Sequence, residues 1–336
     1  MANLEIAGYW RTAPEIALRV RPGFKLVDAD LDSKPGWTAG QSKAEKFIAS
    51  RGKLLAELQE RFFAMARAGD ERKFLVITQG MDTSGKGGVA RHILGMVDPQ
   101  GVHIHGFGGP TKEELSHHFL WRIKKALPPA GKIGYFDRSH YEDVLIARVD
   151  HLAPIEEIEK RYDEILQFEQ ELIDDGYVLL KFALMHTYEE QCRRLAERLT
   201  RPDKFWKYDP SDVDTRRKWD QYYEAHQIMF DRTSTEAAPW YVIPANYKWY
   251  ARLAAAEMIT QALIRMDLDW PVPEWDLSTE RVRLVETMHA EKLPEAIDEL
   301  KKLKKKVAEV REELAEHEAE IREVAKVSLL DAGDRI

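Results

Sequence analysis

Short continuous runs of apolar residues alternate along the chain with longer segments in which apolar residues recur every three or four positions. The short runs are typical of parallel strands buried on both faces, and the longer segments are typical of amphipathic helices. The runs predict five strands, at 74–77, 102–107, 132–136, 177–185 and 240–243. Because strands and helices alternate, we expect an α/β fold of three layers, with a five-stranded parallel sheet between two layers of helices.

The predicted helices are bounded by characteristic start and stop residues. Thr111 and Glu114 predict a capping box at the start of one helix, and Pro128 with Pro129 stops it near residue 127. Gly176 ends another helix. The predicted helices cover approximately 42–68, 87–97, 111–127, 141–149, 155–175, 189–199, 213–231 and 247–266.

Proline and glycine positions and a change in composition divide the chain into four parts. Residues 1–40 predict an arm that lies over the core without long regular elements. Residues 41–270 form the predicted core, with a lid at about 201–218. A linker is expected at 271–289, and residues 290–328 predict a coiled-coil-like helix.

The last part of the chain carries an apolar heptad pattern with Glu and Lys around it. Its a and d positions are Leu293, Ala296, Leu300, Leu303, Val307, Val310, Leu314, His317, Ile321 and Val324. A helix of roughly 35 residues would be about 50 Å long. Its apolar seam must pair with another chain or fold against the core of its own chain, and we favour a homo-oligomer. His317 at a d position weakens the seam.

Composition excludes some classes of protein. The net charge of −8 over 336 residues argues against a nucleic-acid binder, which usually has a basic surface. The single cysteine, Cys192, rules out an intramolecular disulfide framework and a cysteine metal cluster. No run of 18 apolar residues and no secretory signal pattern occurs, so we expect a cytoplasmic protein with no membrane partner.

A glycine-rich loop stands between the first strand and the helix that follows it. Residues 80–86, Gly-Met-Asp-Thr-Ser-Gly-Lys, fit the phosphate-binding pattern G-x-x-x-x-G-K. Glycines let backbone N–H groups surround phosphate oxygens, the helix N-terminus favours negative charge, and Lys86 adds a full positive charge. Gly87 stands where Ser or Thr usually provides a ligand for Mg²⁺. Either this loop binds no metal, or a nearby group such as Asp82 replaces the hydroxyl.

Asp137 ends the third strand, where folds of this kind hold Mg²⁺ beside the phosphate-binding loop. The alternative is a solvated loop aspartate or a helix cap. Asp82 inside the loop favours the metal interpretation, since two carboxylates, phosphate oxygens and waters suit the octahedral geometry of Mg²⁺.

Cationic side chains provide further candidates for phosphate binding. Arg138 follows Asp137, and Arg198, Arg201, Lys204 and Lys207 lie in or near a loop rich in aromatic residues. Arginine suits bidentate contacts with phosphate. A cationic, aromatic loop after a helix favours a lid that closes over an anion, and the alternative is a surface loop held by its aromatic side chains.

Together these motifs resemble the polyphosphate kinase 2 family over most of residues 40–265. The Walker A motif of that family is similar to residues 80–88, including the aspartate inside the loop and the glycine after the lysine. Its Walker B motif is similar to residues 136–142, and its lid is similar to residues 198–207. Further family-like segments occur at 239–241 and 248–250.

The resemblance implies a thymidylate-kinase-like P-loop fold that transfers phosphoryl groups between inorganic polyphosphate and nucleoside mono- or diphosphates, with Mg²⁺ or, as an alternative, Mn²⁺. It implies catalytic roles for Asp82, Lys86, Asp137 and Arg138, and metal binding by Asp82 and Asp137. The implied phosphate-binding residues are Gly80, Gly85, Lys86, Gly87, Gly88, Arg198, Arg201, Lys204 and Lys207. Residues 138–144 are similar to members that accept both monophosphates and diphosphates.

Two rival functions remain open. An ATP-dependent nucleotide kinase of the same fold would need an adenine clamp on the donor side, which the sequence does not reveal. A non-enzymatic scaffold could use the heptad helix to recruit partners, but the intact Lys86, Asp82 and Asp137 argue against it.

Overall fold

A single sheet of five parallel strands is the centre of the computed structural model, which describes residues 9–333, apart from the side chains of residues 290 and 320–333. The strands are β1 (Lys73–Gln79), β2 (Val102–Gly106), β3 (Ile133–Asp137), β4 (Tyr177–Met185) and β5 (Trp240–Pro244). Their order is β2-β3-β1-β4-β5 and every pairing is parallel. The predicted five-stranded parallel sheet is confirmed.

Helices connect the strands and cover both faces of the sheet. The α-helices of the described residues are α1 (Pro14–Ala17), α2 (Gln41–Arg67), α3 (Lys86–Leu94), α4 (Lys112–Leu115), α5 (Leu120–Lys125), α6 (Ile146–Val149), α7 (Ile155–Asp174), α8 (Tyr188–Thr200), α9 (Ser211–Arg217), α10 (Trp219–Thr233), α11 (Lys248–Arg265), α12 (Leu277–Glu286) and α13 (Leu293–Gly333). Short 3-10 helices occur at Leu26–Asp28, Pro99–Gly101, His140–Asp143, Pro202–Lys207 and Ala290–Lys292.

The alternation of side chains along each strand builds two apolar cores. In β1, Phe74 and Val76 pack with α2, α3 and α11 on one face. Leu75 and Ile77 point to the opposite face, where they pack with α5, α7 and α10. The three-layer α/β architecture is therefore confirmed.

Strand order determines where a site can form. The chain runs from β1 outward to β2, returns to β3 beside β1, and then crosses to β4 on the other side of β1. Ligands of open α/β sheets bind outside the carboxyl ends of the strands, at the point where the strand order reverses. That point is the carboxyl end of β1, where the glycine-rich loop begins.

The prediction of one continuous helix over residues 111–127 is wrong, because the structure has two shorter helices there. The capping box is present, because the Thr111 hydroxyl accepts from the Glu114 N–H at 3.2 Å and the Glu114 carboxylate accepts from the Thr111 N–H at 2.6 Å. The helix then ends at Leu115 and α5 begins at Leu120. The Ser116 hydroxyl donates to the Glu113 carbonyl at 2.7 Å, the local side-chain bonding that competes with a continuing helix.

The helix predicted over residues 141–149 is also interrupted. It consists of the 3-10 turn His140–Asp143 and the short α6. Similarly, the predicted lid loop contains the 3-10 turn Pro202–Lys207 before α9. The first of these turns follows β3 at the carboxyl edge of the sheet.

The N-terminal arm crosses the core through short elements. Its described part, residues 9–40, contains α1 and one 3-10 turn, and residues 1–8 lie outside the described residues. Val20 donates to the Trp240 carbonyl at 2.8 Å and Val242 donates to the Leu18 carbonyl at 2.9 Å, so the arm runs along β5. It covers that edge of the sheet.

The C-terminal helix α13 meets the core over part of its length. Leu314 and His317 are buried where α13 contacts α2 and α11. Lys53 and Arg61 of α2 form ion pairs with Glu313 and Glu318 at 3.0 and 3.5 Å. His317 is thus packed against its own core in this structure.

Two other expectations about this end of the chain have different outcomes. The predicted heptad residues 321 and 324 lie outside the residues whose side chains are described. The expected linker contains α12, which the sequence analysis did not predict.

Of the described helices, not one combines the length and the apolar character that crossing a membrane requires.

Candidate active site

The glycine-rich loop turns sharply between β1 and α3. Gly80 and Gly85 have φ angles of 142° and 106°, in the left-handed region that favours glycine. A Cβ atom at Gly80 would collide with the carbonyl oxygen of Leu184 in β4, so a larger residue does not fit. The first residue of α3 is Lys86, preceded by Gly85 at the N-cap. The sequence of strand, glycine loop and helix thus gives the geometry of a phosphate-binding loop.

The side chain of Lys86 folds back into this loop. Its ammonium donates to the carbonyl oxygens of Gly80 at 2.5 Å and Met81 at 3.3 Å, and it is 8% exposed. Burial, with the nearby cation of Arg138, lowers the pKa of Lys86. The loop therefore holds a cation that is bound by backbone carbonyls. Because these carbonyls carry no full negative charge, a phosphate oxygen can replace them as the partner of the ammonium.

Arg138 connects the loop with the turn after β3. Its guanidinium donates to the Asp82 carboxylate at 2.8 Å and to the Glu142 carboxylate at 3.0 Å. The charge of Glu142, together with that of Asp82, raises the pKa of Arg138 against the opposing effect of burial. Arg138 has a φ angle of 67°, so the chain turns abruptly here and directs the guanidinium toward the loop.

Asp137 lies at the carboxyl end of β3, next to the start of α3. Its Cα is paired with that of Thr78 in β1, which places it level with the last residues before the loop. A Cβ atom added at Gly87 would lie 3.7 Å from the Asp137 Oδ2 atom. The glycine that replaces the usual hydroxyl residue therefore faces this carboxylate.

Asp82 and Asp137 suit Mg²⁺ by the chemistry of their oxygens. Among the residues that the structure describes, no group of three or more His, Cys, Asp and Glu side chains is arranged to hold a metal ion. An ion here would take most of its ligands from phosphate oxygens and water, as Mg²⁺ does when one or two carboxylates anchor it. Asp82 would first have to release Arg138, which retains Glu142 as a partner.

A cavity of about 280 Å³ opens beside the loop. Its lining residues are Gln79, Gly80, Met81, Asp82, Arg138, Glu142, Leu145, Ile146, Asp209, Ser211, Asp212, Thr215, Tyr222 and His226. The structure thus brings the loop, Arg138 and the start of α9 around one space. Its wall combines one guanidinium with several carboxylates and hydroxyl groups.

The predicted cations of the lid lie in two different environments. Arg198 donates to the Lys207 carbonyl at 2.8 Å and to the buried Asp212 carboxylate at 2.9 Å, so it fastens the 3-10 turn to α9. Arg201 is half-exposed and pairs with Glu197 at 3.0 Å and with Asp203 at 2.9 Å. The lid turn is therefore held by Arg198 and carries Arg201 on its outer side.

The remaining predicted residues are distributed between the lid and α3. Lys204 lies 3.9 Å from Asp203, and the Lys207 ammonium lies over the Trp206 ring at 4.9 Å. Arg201, Lys204 and Lys207 are not among the residues that line the described cavity. Gly87 and Gly88 form the first turn of α3. The structure therefore gathers the loop, Asp137 and Arg138, while the three outer lid cations stand apart.

Arg194 was missed by the sequence analysis. It is buried in α8, where it donates to the carbonyl oxygens of Thr83 at 2.8 Å and Ser84 at 3.1 Å. Its other nitrogens bond to Glu190 at 2.6 Å and to the carbonyls of Ala245 and Asn246. One arginine therefore ties the phosphate-binding loop to the segment after β5. The sequence signal was a pair of adjacent arginines, Arg193 and Arg194, on the helix that precedes the lid.

Two more side chains, one from the residue that follows β4 and one from α8, hold the loop from the same side. His186 and Gln191 donate to the Asp82 carbonyl oxygen at 3.1 and 3.2 Å. Burial lowers the pKa of His186 to about 4, so its neutral imidazole donates from Nε2 at physiological pH. Because these bonds fix the carbonyl of Asp82, they help to orient its carboxylate.

Replacing Arg194 with methionine is expected to lower both stability and catalytic efficiency. The change leaves buried carbonyl oxygens of the loop without donors, a loss of about 3 kcal/mol. The loop, whose Thr83 has a positive φ of 67°, then loses its fixed shape, and kcat/KM should fall by about tenfold. Thermal unfolding and steady-state kinetics measure the two effects.

Arg193 provides a matched control for this experiment. It is the exposed neighbour of Arg194 and pairs with Glu190 at 2.6 Å without touching the loop. Arg193→Met should leave kcat/KM unchanged. An Arg194→Met enzyme with normal kcat/KM would show that the loop keeps its shape without this arginine.

Comparison with known proteins agrees with this geometry. The polyphosphate kinase 2 family model matches residues 41–270. An AMP/ADP-polyphosphate phosphotransferase of Meiothermus ruber is 40% identical over 258 residues, which are 76% of this chain and 95% of that protein. An ADP-polyphosphate phosphotransferase of Rhodopseudomonas palustris is 37% identical over 67% of this chain and 81% of that protein.

A solved structure has the same fold. The crystal structure of polyphosphate kinase 2 from Arthrobacter aurescens superimposes with a TM-score of 0.81 and 45% sequence identity, over 83% of this chain and 98% of that one. The resemblance that the loop, Walker B and lid motifs suggested is thereby confirmed. The chain belongs to the polyphosphate kinase 2 family.

Proposed function

We propose that this chain transfers phosphoryl groups between inorganic polyphosphate and nucleoside mono- or diphosphates. The observation that carries the proposal is the meeting of Lys86, Arg138 and the Asp82 and Asp137 carboxylates at the carboxyl edge of β1 and β3. Relatives that share this family are named as phosphotransferases acting on polyphosphate and AMP or ADP. Since nucleotides are the proposed acceptors, we place the reaction in the cytoplasm.

We assign the polyphosphate end to the glycine-rich loop. Polyphosphate has no base to recognise, so a protein must bind it through backbone N–H groups, cations and metal. The loop offers its N–H groups and the N-terminus of α3, and Lys86 supplies the charge at its centre. Phosphate oxygens would replace the carbonyl oxygens of Gly80 and Met81 as partners of the ammonium.

We assign the nucleotide to the cavity beside Arg138. The guanidinium suits the acceptor phosphate, which it can contact by two parallel hydrogen bonds. Asp209, Ser211 and Thr215 on the opposite wall provide oxygens that can accept hydrogen bonds from sugar hydroxyl and base amino groups. Because Asp82 lies close to both Arg138 and the loop, the two phosphates would lie next to each other in this arrangement.

The transfer needs positioning and charge stabilisation rather than proton abstraction. An oxygen of the acceptor phosphate attacks the terminal phosphorus of polyphosphate, and the bond from that phosphorus to the bridging oxygen breaks. The nucleotide gains one phosphate and the polyphosphate loses one. The second pKa of a phosphate monoester is about 6, so the attacking oxygen is already deprotonated near neutral pH and no general base is required.

The residues of the chain act on the charge of the transferring group. Lys86 and Arg138 approach it from the donor and acceptor sides, where they stabilise charge on its equatorial oxygens. Asp82 and Asp137 would hold Mg²⁺, or Mn²⁺ with its similar preference for oxygen, and the ion would neutralise part of the phosphate charge.

Arg201→Ala is expected to lower kcat by at least about tenfold. An arginine that contacts the transferring phosphoryl group in the transition state can raise kcat by about 10³-fold or more. Arg201 must exchange Glu197 and Asp203 for phosphate as the lid closes, so KM for polyphosphate should rise and its dependence on salt should weaken. Steady-state kinetics across a salt series measures this.

Arg217 serves as the control, because it is an exposed arginine of α9 that pairs with Asp214 at 2.9 Å. Arg217→Ala should behave as the wild type does. A wild-type kcat and salt dependence in Arg201→Ala would show that residues 201–207 form only a surface loop.

The proposed function is tested by supplying polyphosphate separately to AMP, ADP, GMP and GDP, and by repeating each reaction with ATP as donor. We expect phosphorylated nucleotides with polyphosphate. If products form with ATP as the donor and none form with polyphosphate, the result would support an ATP-dependent nucleotide kinase of the same fold and overturn the proposal.

A further inference from the structure

The apolar seam of α13 changes its surroundings along the helix. Leu314 and His317 are 4% and 2% exposed, against the core of their own chain. Leu300 and Leu303 are both 55% exposed, and Val310 is 44% exposed. The a and d positions from residue 293 to residue 310, here called the outer seam, therefore include large apolar side chains that the core does not cover.

The neighbouring helix does not bury the outer seam. Helix α12 has apolar residues of its own, and Val282, Leu284 and Val285 are 59%, 56% and 44% exposed. The chain thus exposes most of the outer seam to solvent, from Leu300 to Val310, although a row of apolar side chains on a helix favours burial against another helix.

We propose that the outer seam pairs with the outer seam of a second copy of this chain, with the two helices antiparallel. The spacing of the seam supports this occupant. In an antiparallel pair, an a position faces a d position of the partner. If the axis passes between residues 301 and 302, Leu300 faces the partner's Leu303 and Val307 faces the partner's Ala296.

This register ends where the core of each chain begins. Val310 faces the partner's Leu293, so the paired segment covers residues 293–310. At about 1.5 Å per residue its length is about 27 Å. Leu314 and His317, which contact the core, lie outside the segment. The two cores therefore lie at opposite ends of the pair and do not compete for the same space.

Charge also favours this orientation. Glu299 and Lys306 occupy g positions, which are neighbours across an antiparallel pair. Each Glu299 then meets the partner's Lys306, which makes two attractive pairs. In a parallel pair Glu299 would meet the partner's Lys304, but Lys306 would meet the partner's Arg311, so attraction and repulsion offset each other.

The first test measures the molar mass of the full chain by light scattering. The double substitution Leu300→Asp and Leu303→Asp should halve the mass, because it places four carboxylates in the pairing region. Both side chains are exposed, so the melting temperature and the rate of phosphoryl transfer should remain those of the wild type. An unchanged mass in this variant would overturn the proposal.

The second test determines the orientation through charge reversal. Glu299→Lys should weaken association by about tenfold, because two attractive pairs become repulsive. Adding Lys306→Glu should restore association, whereas adding Lys304→Glu should not. Restoration by Lys304→Glu instead would show a parallel pair and contradict the proposed arrangement.

Lys305→Glu is the matched control. Lys305 is an f position on the far side of the helix, 3.9 Å from Glu309 of its own chain. Its reversal should leave the association constant unchanged. An effect as large as that of Glu299→Lys would mean that overall charge, rather than the proposed pairs, controls association.

Discussion

Replacing Lys86 with methionine is expected to lower kcat by about 10³-fold while the protein remains folded. Methionine keeps most of the length and apolar volume of lysine but removes the ammonium that the loop holds beside Gly80 and Met81. The free-energy cost of burying that cation also disappears, as the lowered pKa of Lys86 implies. Steady-state kinetics measures kcat, and thermal unfolding measures whether the protein remains folded.

Lys73→Met is the appropriate control for this experiment. Lys73 begins the strand that leads to the loop, and its ammonium pairs with Asp175 at the far end of the sheet, at 3.0 Å. Loss of that partly exposed pair should leave kcat unchanged. A Lys86→Met enzyme with more than about a tenth of the wild-type kcat would show that Lys86 does not act on the transferring group.

Asp137→Asn and Asp82→Asn are expected to be the next most damaging changes, each lowering turnover more than stability. Asparagine keeps the shape of aspartate but removes the negative charge that a divalent cation requires. We expect the rate of either variant to fall by about 10²-fold or more at limiting Mg²⁺ and to recover in part at high Mg²⁺. Rates measured across a Mg²⁺ titration test this.

The two variants should differ in a second respect. Asp82 also holds Arg138, so Asp82→Asn should loosen the guanidinium and raise KM for the nucleotide, whereas Asp137→Asn should mainly change the Mg²⁺ dependence. Asp150→Asn is the control, because it removes a different carboxylate, the one that pairs with Lys218 at 2.6 Å. It should leave the Mg²⁺ dependence unchanged. Near wild-type rates of either variant at limiting Mg²⁺ would contradict the metal assignment.

The sequence predicts the loop and the end of β3 because both depend on neighbours in the chain. The glycines, Lys86 and the buried strand before them occupy one continuous segment, and Asp137 follows its own strand directly. Parallel strands then bring these segments to a common edge. Local order and one rule of sheet topology are sufficient for this part of the site.

Arg194 could not be predicted in the same way. Its partners in the loop and after β5, at 83–84 and 245–246, are far from it in the sequence and are backbone carbonyls, which carry no residue-specific signal. The interruption after Leu115 also depends on one local hydroxyl bond that competes with helix periodicity. The outer seam was visible as a heptad, but which half is buried depends on the contact between α13 and α2.

Phosphate is expected to pass directly from polyphosphate to a nucleotide at the site built by Lys86, Arg138, Asp82 and Asp137. Phosphorus NMR of a closed reaction containing polyphosphate, ADP and Mg²⁺ tests it most directly. We predict that signal from phosphates within the polymer falls as a new nucleotide γ-phosphate signal rises in equal amount, and that Lys86→Met abolishes both changes. Release of inorganic phosphate without a nucleotide signal, or an undiminished transfer by Lys86→Met, would contradict direct transfer at this site.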